Sequence, residues 1–140
     1  MEFMYAGFWR RFRACLLDSL ILGILFLPIE LIVNPILHSL SPDLGMIFTI
    51  LYWLISIILY WLYFAFFESS SKQATLGKMV MKIIVTDLEG NRISFAKATV
   101  RYWSKWLSVI ILMAGFIMAA FTSKKQALHD IIAKSLVIRL

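Results

Sequence analysis

Charged residues are scarce in this chain. Only 16% of its 140 residues are charged and 61% are hydrophobic, whereas soluble domains have about 25% charged and about 45–50% apolar residues. A globule of this size cannot bury so many apolar side chains, so the composition indicates lipid as the main surrounding. The length suffices for a single domain over residues 1–140.

Cysteine and histidine are also rare. The single Cys15 excludes an internal disulfide, and two histidines with one cysteine cannot form a recognisable zinc site. The spacing of polar residues indicates no Ser-His-Asp or Cys-His arrangement. We therefore expect no metal, no cofactor and no enzymatic activity.

Basic residues are distributed unevenly along the chain. The formal net charge is +6, which in a soluble protein would suggest nucleic acid as a partner. Here Arg10, Arg11 and Arg13 precede the first apolar run, whereas the connection from Asn34 to Pro42 has no Lys or Arg. Six further Lys or Arg residues lie between positions 72 and 101. This asymmetry predicts a cytoplasmic N-terminus and contact with anionic lipid headgroups, and no nucleic acid partner.

Three long apolar runs follow one another: residues 15–33, 44–67 and 106–121. The first two are long enough for spanning helices, which need about 20 residues, and predict spans at about 15–36 and 44–67. Asp18 lies inside the first run, where an aspartate costs roughly 2.5–3.5 kcal/mol. Thirteen Leu, Ile, Phe or Val residues between Leu16 and Val33 return roughly 4–8 kcal/mol. The gain from these apolar side chains exceeds the cost of Asp18, so the first run is predicted to insert into the membrane.

The segment 72–105 between the second and third runs is less apolar. Residues 78–86 read as a β-strand, 87–91 as a turn, and the chain after Ser94 as a basic amphipathic helix at the inner surface, with Lys97, Arg101 and Lys105 on one face. The tail, 122–140, ends in strand-like residues 136–140, for which residues 79–86 are a plausible partner.

Pairing of these strands requires both on one side of the membrane. It therefore favours a hairpin that bends near Gly115 over a third span for residues 106–121, although the sequence leaves both open. The predicted fold class is an all-α integral membrane protein with two transmembrane helices, a short third hydrophobic hairpin or span, and a small cytoplasmic β-ribbon.

Several ionisable residues could form a site. Arg11 and Asp18 are nearly two helical turns apart, so they share a face about 10 Å apart. Asp18 could bind a cation or proton. Alternatively, Asp18 could be a buried polar residue that holds helices together, while Arg11 anchors the helix at the lipid headgroups. Glu30 could be a second polar group on a pathway towards the outside, or it could be an interfacial carboxylate that faces water. His129 and Asp130 could hold a proton or cation at the cytoplasmic mouth, or form a polar cluster where a helix starts.

Two motifs carry a family resemblance. Arg11-x-x-Ala14-x-x-x-Asp18 and Leu128-His-Asp130, together with residues 73–78, resemble the RDD family of small bacterial membrane proteins, named for one arginine and two aspartates. The resemblance implies that Arg11, Asp18 and Asp130 are the signature residues, and Arg101 falls where the family often has arginine. It also implies the bacterial cytoplasmic membrane, and a family of unknown function with suggested transport and proposed sodium/proton antiporters.

Two functions are therefore open. In the first, the protein exchanges a monovalent cation such as Na⁺ for protons: Asp18 binds the ion, Arg11 sets the pKa of Asp18, and Asp130 gates the inner mouth. Two spans and a hairpin hardly enclose a pathway, so this hypothesis calls for a homo-oligomer. In the second, the protein is a non-catalytic scaffold or a lipid- or partner-binding protein, and the signature residues stabilise the fold.

Overall fold

A computed structural model of the protein describes residues 4–110 and 114–140. Two long helices come first in the chain, followed by four short helices and two short strands. In chain order the elements are α1 Phe8–Ser39, α2 Pro42–Ser69, α3 Leu76–Val80, β1 Ile83–Asp87, α4 Phe95–Ile110, α5 Ala114–Phe121, α6 Leu128–Ile132 and β2 Ser135–Arg139.

The two long helices, α1 and α2, are long and apolar enough to cross a membrane. Their 32 and 28 residues correspond to about 48 and 42 Å at 1.5 Å per residue. In the most apolar 18-residue stretch of each helix, only 11% of the residues are buried. A core helix of a soluble protein would bury such a stretch, so lipid or another chain must cover these side chains.

The helices extend beyond the predicted spans at both ends. The three N-terminal arginines lie in the first turns of α1, and the helix continues through Pro28 and Pro35 to Ser39. The predicted connection from Asn34 to Pro42 is therefore wrong in extent, because only Leu40 and Ser41 separate α1 from α2. A proline inside a helix removes one backbone donor, and nearby hydroxyls can satisfy carbonyls left free at such positions.

A small sheet lies at the end where α1 begins and α2 finishes. β1 and β2 pair antiparallel, from Ile83 opposite Arg139 to Asp87 opposite Ser135, which confirms the predicted pairing. The N-terminal residues join the free edge of β2, since the Ala6 amide donates to the Val137 carbonyl over 2.8 Å. The first residues of the predicted strand are instead helical, in α3. The first and last described residues thus lie on the same side of the long helices.

The hydrophobic core lies between this sheet and the two long helices. Small residues there let backbones approach closely, and branched side chains from the strands fill the space. The buried cluster contains Ala6, Ala14, Ala65, Ile83, Val85, Ile93, Ala98 and Val137.

Helix α4 differs in part from the predicted orientation. Arg101, expected on a basic face toward lipid headgroups, is only 2% exposed, while Trp103, Trp106 and Leu107 are about half exposed. Arg101 thus turns toward the protein and these apolar side chains turn outward, whereas Lys97 of the predicted basic face is exposed. Such an arrangement suits a helix whose outer surrounding is apolar.

The third apolar run covers the end of α4, through Ile110, and all of α5. Both contact α6. Gly115, near which the bend was predicted, lies within α5, and residues 111–113 are outside the described part of the chain.

Candidate functional site

Asp18 lies at the centre of a buried cluster of hydrogen bonds. Its carboxylate is 1% exposed and accepts bonds from the Tyr63 hydroxyl at 2.8 Å, the Thr75 hydroxyl at 2.6 Å and the Gly77 amide at 2.8 Å. The Tyr63 oxygen in turn accepts the Leu76 amide at 3.2 Å. Asp18 therefore joins α1 to α2 and to the start of α3, and its charge is met by donors that the fold supplies.

Gly77 allows this contact, because α3 lies directly against α1. A Cβ atom at Gly77 would lie 2.3 Å from the Ala14 carbonyl oxygen and 2.9 Å from Cγ of Asp18. Any side chain would push α3 away from α1 and stretch the bond from the Gly77 amide to Asp18. The family-like stretch 73–78 is thus a docking segment for α1. Its lysine, Lys78, points inward and pairs with Glu68.

Arg11 forms its ion pair with Asp130 and not with Asp18. The Arg11 guanidinium pairs with Oδ2 of Asp130 and donates from Nε to the Ala6 carbonyl at 2.9 Å. Asp130 is fully buried, and its Oδ2 also accepts the Ala127 amide at 3.1 Å. The partner of the Arg11 guanidinium is therefore a carboxylate 119 residues away in sequence, and not the one on the same helix face.

Arg101 connects Asp130 to a second buried carboxylate. One of its guanidinium nitrogens lies 2.9 Å from Oδ1 of Asp130, and its Nε lies 3.3 Å from Oε2 of Glu68. Glu68 also pairs with Lys78 and lies 3.7 Å from the Lys105 ammonium. The result is a continuous network that ties α1, α2, α3, α4 and α6 together.

Sequence reasoning missed Glu68, Lys78 and Lys105 as site residues. Glu68 has a signal, because it is the first charge after 24 uncharged residues and so falls where the helix leaves its apolar surrounding. Lys78 and Lys105 carry no such signal, since their spacing from Glu68 fits no local pattern. Only the packing of α3 and α4 brings them to one carboxylate.

The network holds four cationic side chains against two carboxylates. Burial alone would raise the pKa of Asp130, but the guanidinium charges of Arg101 and Arg11 outweigh it and hold the pKa well below its usual range. Burial lowers the pKa of His129 to about 3, although Asp130 opposes the shift. Burial also lowers the pKa of Lys78 to about 8, against the pull of Glu68. Near neutral pH His129 is thus uncharged and the network keeps an excess of positive charge.

Glu30 stands apart from both clusters. It is exposed and does not lie near a helix end. Because α1 continues to Ser39, Glu30 lies nine residues before the last residue of the helix, about 14 Å at 1.5 Å per residue. In the described part of the chain, no three His, Cys, Asp or Glu side chains group as a metal site requires.

Comparison with known proteins identifies the family. The model of the RDD family matches residues 5–134. The chain is 34% identical over 146 aligned positions to the uncharacterized protein YxaI of Bacillus subtilis (strain 168), covering 95% of this chain and 96% of that protein. It is 35% identical over 143 positions to the uncharacterized membrane protein YteJ of the same organism, covering 96% and 80% respectively. No solved structure gave a significant match. The chain belongs to the RDD family.

Proposed function

We propose that this protein is a non-enzymatic scaffold embedded in the bacterial cytoplasmic membrane. The proposal rests on the observation that the charged groups of Arg11, Asp18 and Asp130 are all met by partners within the protein. Asp18 meets three protein donors, and Asp130 meets two arginines. An ion exchanged at either carboxylate would have to displace these partners from a buried position, which is costly.

The proposed topology places both termini in the cytoplasm. Support comes from charge, since the end that carries the sheet is rich in exposed Lys and Arg whereas the α1–α2 connection has none. The pairing of β1 with β2 supports a third apolar segment that enters the membrane and returns. A complete crossing between these two strands would separate them.

The surface of the sheet end suits anionic headgroups. Arg13, Lys72, Lys82, Lys97 and Lys124 are exposed there, and the buried network adds its own excess of positive charge. Anionic lipids attract such clusters at about 1 kcal/mol per Lys or Arg. The aromatic face of α4 would lie in the apolar part of the same leaflet. We further propose that the exposed apolar side chains of α1 and α2 contact a second copy of the chain as well as lipid.

Reconstitution tests the scaffold against cation/proton exchange. Purified protein is placed in proteoliposomes with an imposed pH gradient, an internal pH dye reports on addition of Na⁺, K⁺ or Li⁺, and Asp18→Asn is run beside the wild type. The proposal expects no cation-dependent loss of the gradient in the wild type. A response in the wild type that a folded Asp18→Asn protein lacks would contradict it and establish Asp18 as an ion site.

A further inference from the structure

A groove of about 220 Å³ lies between α1, α2 and α4, well away from the signature residues. Glu30 is its acidic group. The Glu30 carboxylate lies on the same face of α1 as Phe26, one helical turn away, and Ser56 and Tyr60 line the facing side of α2. The groove opens outward along the apolar stretch of the two long helices.

Glu30 has no cationic partner within the described residues. No Lys, Arg or His nitrogen of residues 4–110 and 114–140 lies within 4.0 Å of its oxygens, unlike Glu68 and Asp130. Ionisable residues inside spans are costly and as a rule face a partner or a pathway. A carboxylate in an apolar stretch without a protein counter-ion needs a proton or a cation from outside the chain.

Aromatic side chains line the groove that holds this carboxylate. Phe26 and Tyr60 stack with ring centroids 5.1 Å apart. Tyr52 lies about two turns before Tyr60 on α2, and Trp53 and Trp106 also line the groove, 60% and 52% exposed. Ring faces attract cations, and organic ammonium groups are recognised by clusters of Tyr and Trp side chains.

We propose that this groove is a binding site for an amphiphilic organic cation, with Glu30 as counter-ion and the rings of Tyr52, Tyr60, Trp53 and Trp106 as walls. Its volume is below the roughly 300–1,000 Å³ of sites that enclose drug-sized molecules. The groove therefore takes an ammonium-like head, and the apolar remainder of the ligand stays in the lipid. The same head group occurs on free amphiphilic cations and on amine-bearing lipids. The inference does not depend on the proposed scaffold function.

Octyltrimethylammonium, a quaternary ammonium head on one short alkyl chain, is the probe for the test. Its binding to the full chain in detergent is followed by titration calorimetry and by the change in tryptophan fluorescence. Glu30→Gln removes the charge at nearly constant size, and Asp43→Asn is the matched control, because Asp43 is an acidic residue on α2 outside the groove. The proposal expects a Kd at least about tenfold weaker in Glu30→Gln and less than about twofold changed in Asp43→Asn.

A second variant separates the site from nonspecific partition of a lipophilic ion. Tyr60→Leu keeps the carboxylate and removes one wall, and should weaken binding several-fold, with thermal unfolding recorded for each variant. Short-chain phosphatidylethanolamine is then added as competitor, with short-chain phosphatidylglycerol as control. Displacement by the amine lipid alone assigns the head to lipid, and no displacement assigns it to a free cation. Equal octyltrimethylammonium binding by wild type and folded Glu30→Gln would overturn the proposal.

Discussion

Asp18 and Glu30 lie on the same helix, twelve residues apart, yet their surroundings are opposite. Asp18 is buried and meets three protein donors. Glu30 is exposed along the apolar stretch, and no cationic side chain of the described residues pairs with it. The comparison teaches that a carboxylate in a membrane helix is not by itself a working site. Whether such a carboxylate is free to bind a ligand depends on whether the fold already supplies hydrogen-bond donors to it.

Among the buried carboxylates, Asp130 is the one whose removal should lower the stability of the protein most. Asp130→Ala leaves Arg11 and Arg101 without their shared carboxylate, and loss of one partner of a buried ion pair costs about 3–5 kcal/mol. We expect the free energy of unfolding in detergent to fall by about that amount. Asp43→Ala, at the exposed start of α2, is the control and should change it little. A loss at Asp130 no larger than at Asp43 would mean that the network does not stabilise the fold.

The close approach of α3 to α1 is tested at Gly77. Gly77→Ala places a methyl group against the Ala14 carbonyl and Asp18, so we expect a loss of about 1–3 kcal/mol in unfolding free energy. Gly23→Ala is the matched control on α1, because no atom lies within 4 Å of its added Cβ. Helix propensity should make that variant equal to the wild type or more stable by up to about 1 kcal/mol. Equal stability of the two alanine variants would argue against the contact.

The buried network also predicts a pH dependence. His129 has an ordinary pKa of 6.5, lowered to about 3 by burial, so between these values the unfolded chain binds a proton that the folded chain does not. Stability from this group is present above pH 6.5 and is lost as pH falls toward 3. His129→Gln should flatten the slope of unfolding free energy over this range, whereas the exposed His38→Gln should not. An unchanged slope in His129→Gln would refute the assignment.

The smallest effect is expected at Glu30. Glu30→Gln breaks no ion pair within the described residues, so we expect a change in unfolding free energy within about 0.5 kcal/mol, as at ordinary surface positions. The measurement is the same unfolding experiment in detergent without added cation. A large loss would show that Glu30 is held by the fold as Asp18 is, and would remove the contrast between them.

Local patterns anticipate much of this fold. The two long apolar runs, the charge asymmetry and the pairing of the two strands follow from composition, length and β-propensity. Helix ends were less predictable, because the sequence places a connection at Asn34 to Pro42, while α1 continues through Pro28 and Pro35 to Ser39. α4 shows why amphipathicity alone is ambiguous. The two faces are visible in the sequence, but which one meets the protein depends on whether the surrounding is water or lipid.

The site was predictable only in part. Arg11, Asp18 and Asp130 stand out in sequence because charges are rare there and because they match a family pattern. Their partners do not, since the Arg11–Asp130 and Asp18–Gly77 contacts join residues 119 and 59 positions apart. Local spacing suggested Arg11 for Asp18, because both lie on one helix face. Tertiary packing instead brought a hydroxyl pair and a backbone amide to Asp18.

The most direct test of the central claim is hydrogen exchange at the start of α3. The Gly77 amide donates to Asp18, so Asp18→Asn should raise amide exchange across residues 75–80 by about tenfold or more, the factor expected for losing a hydrogen bond to a charged group. Glu30→Gln should leave the same residues as protected as in the wild type. Unchanged protection in a folded Asp18→Asn protein, or an equal rise in both variants, would contradict the account that Asp18 holds this layer on the membrane helices.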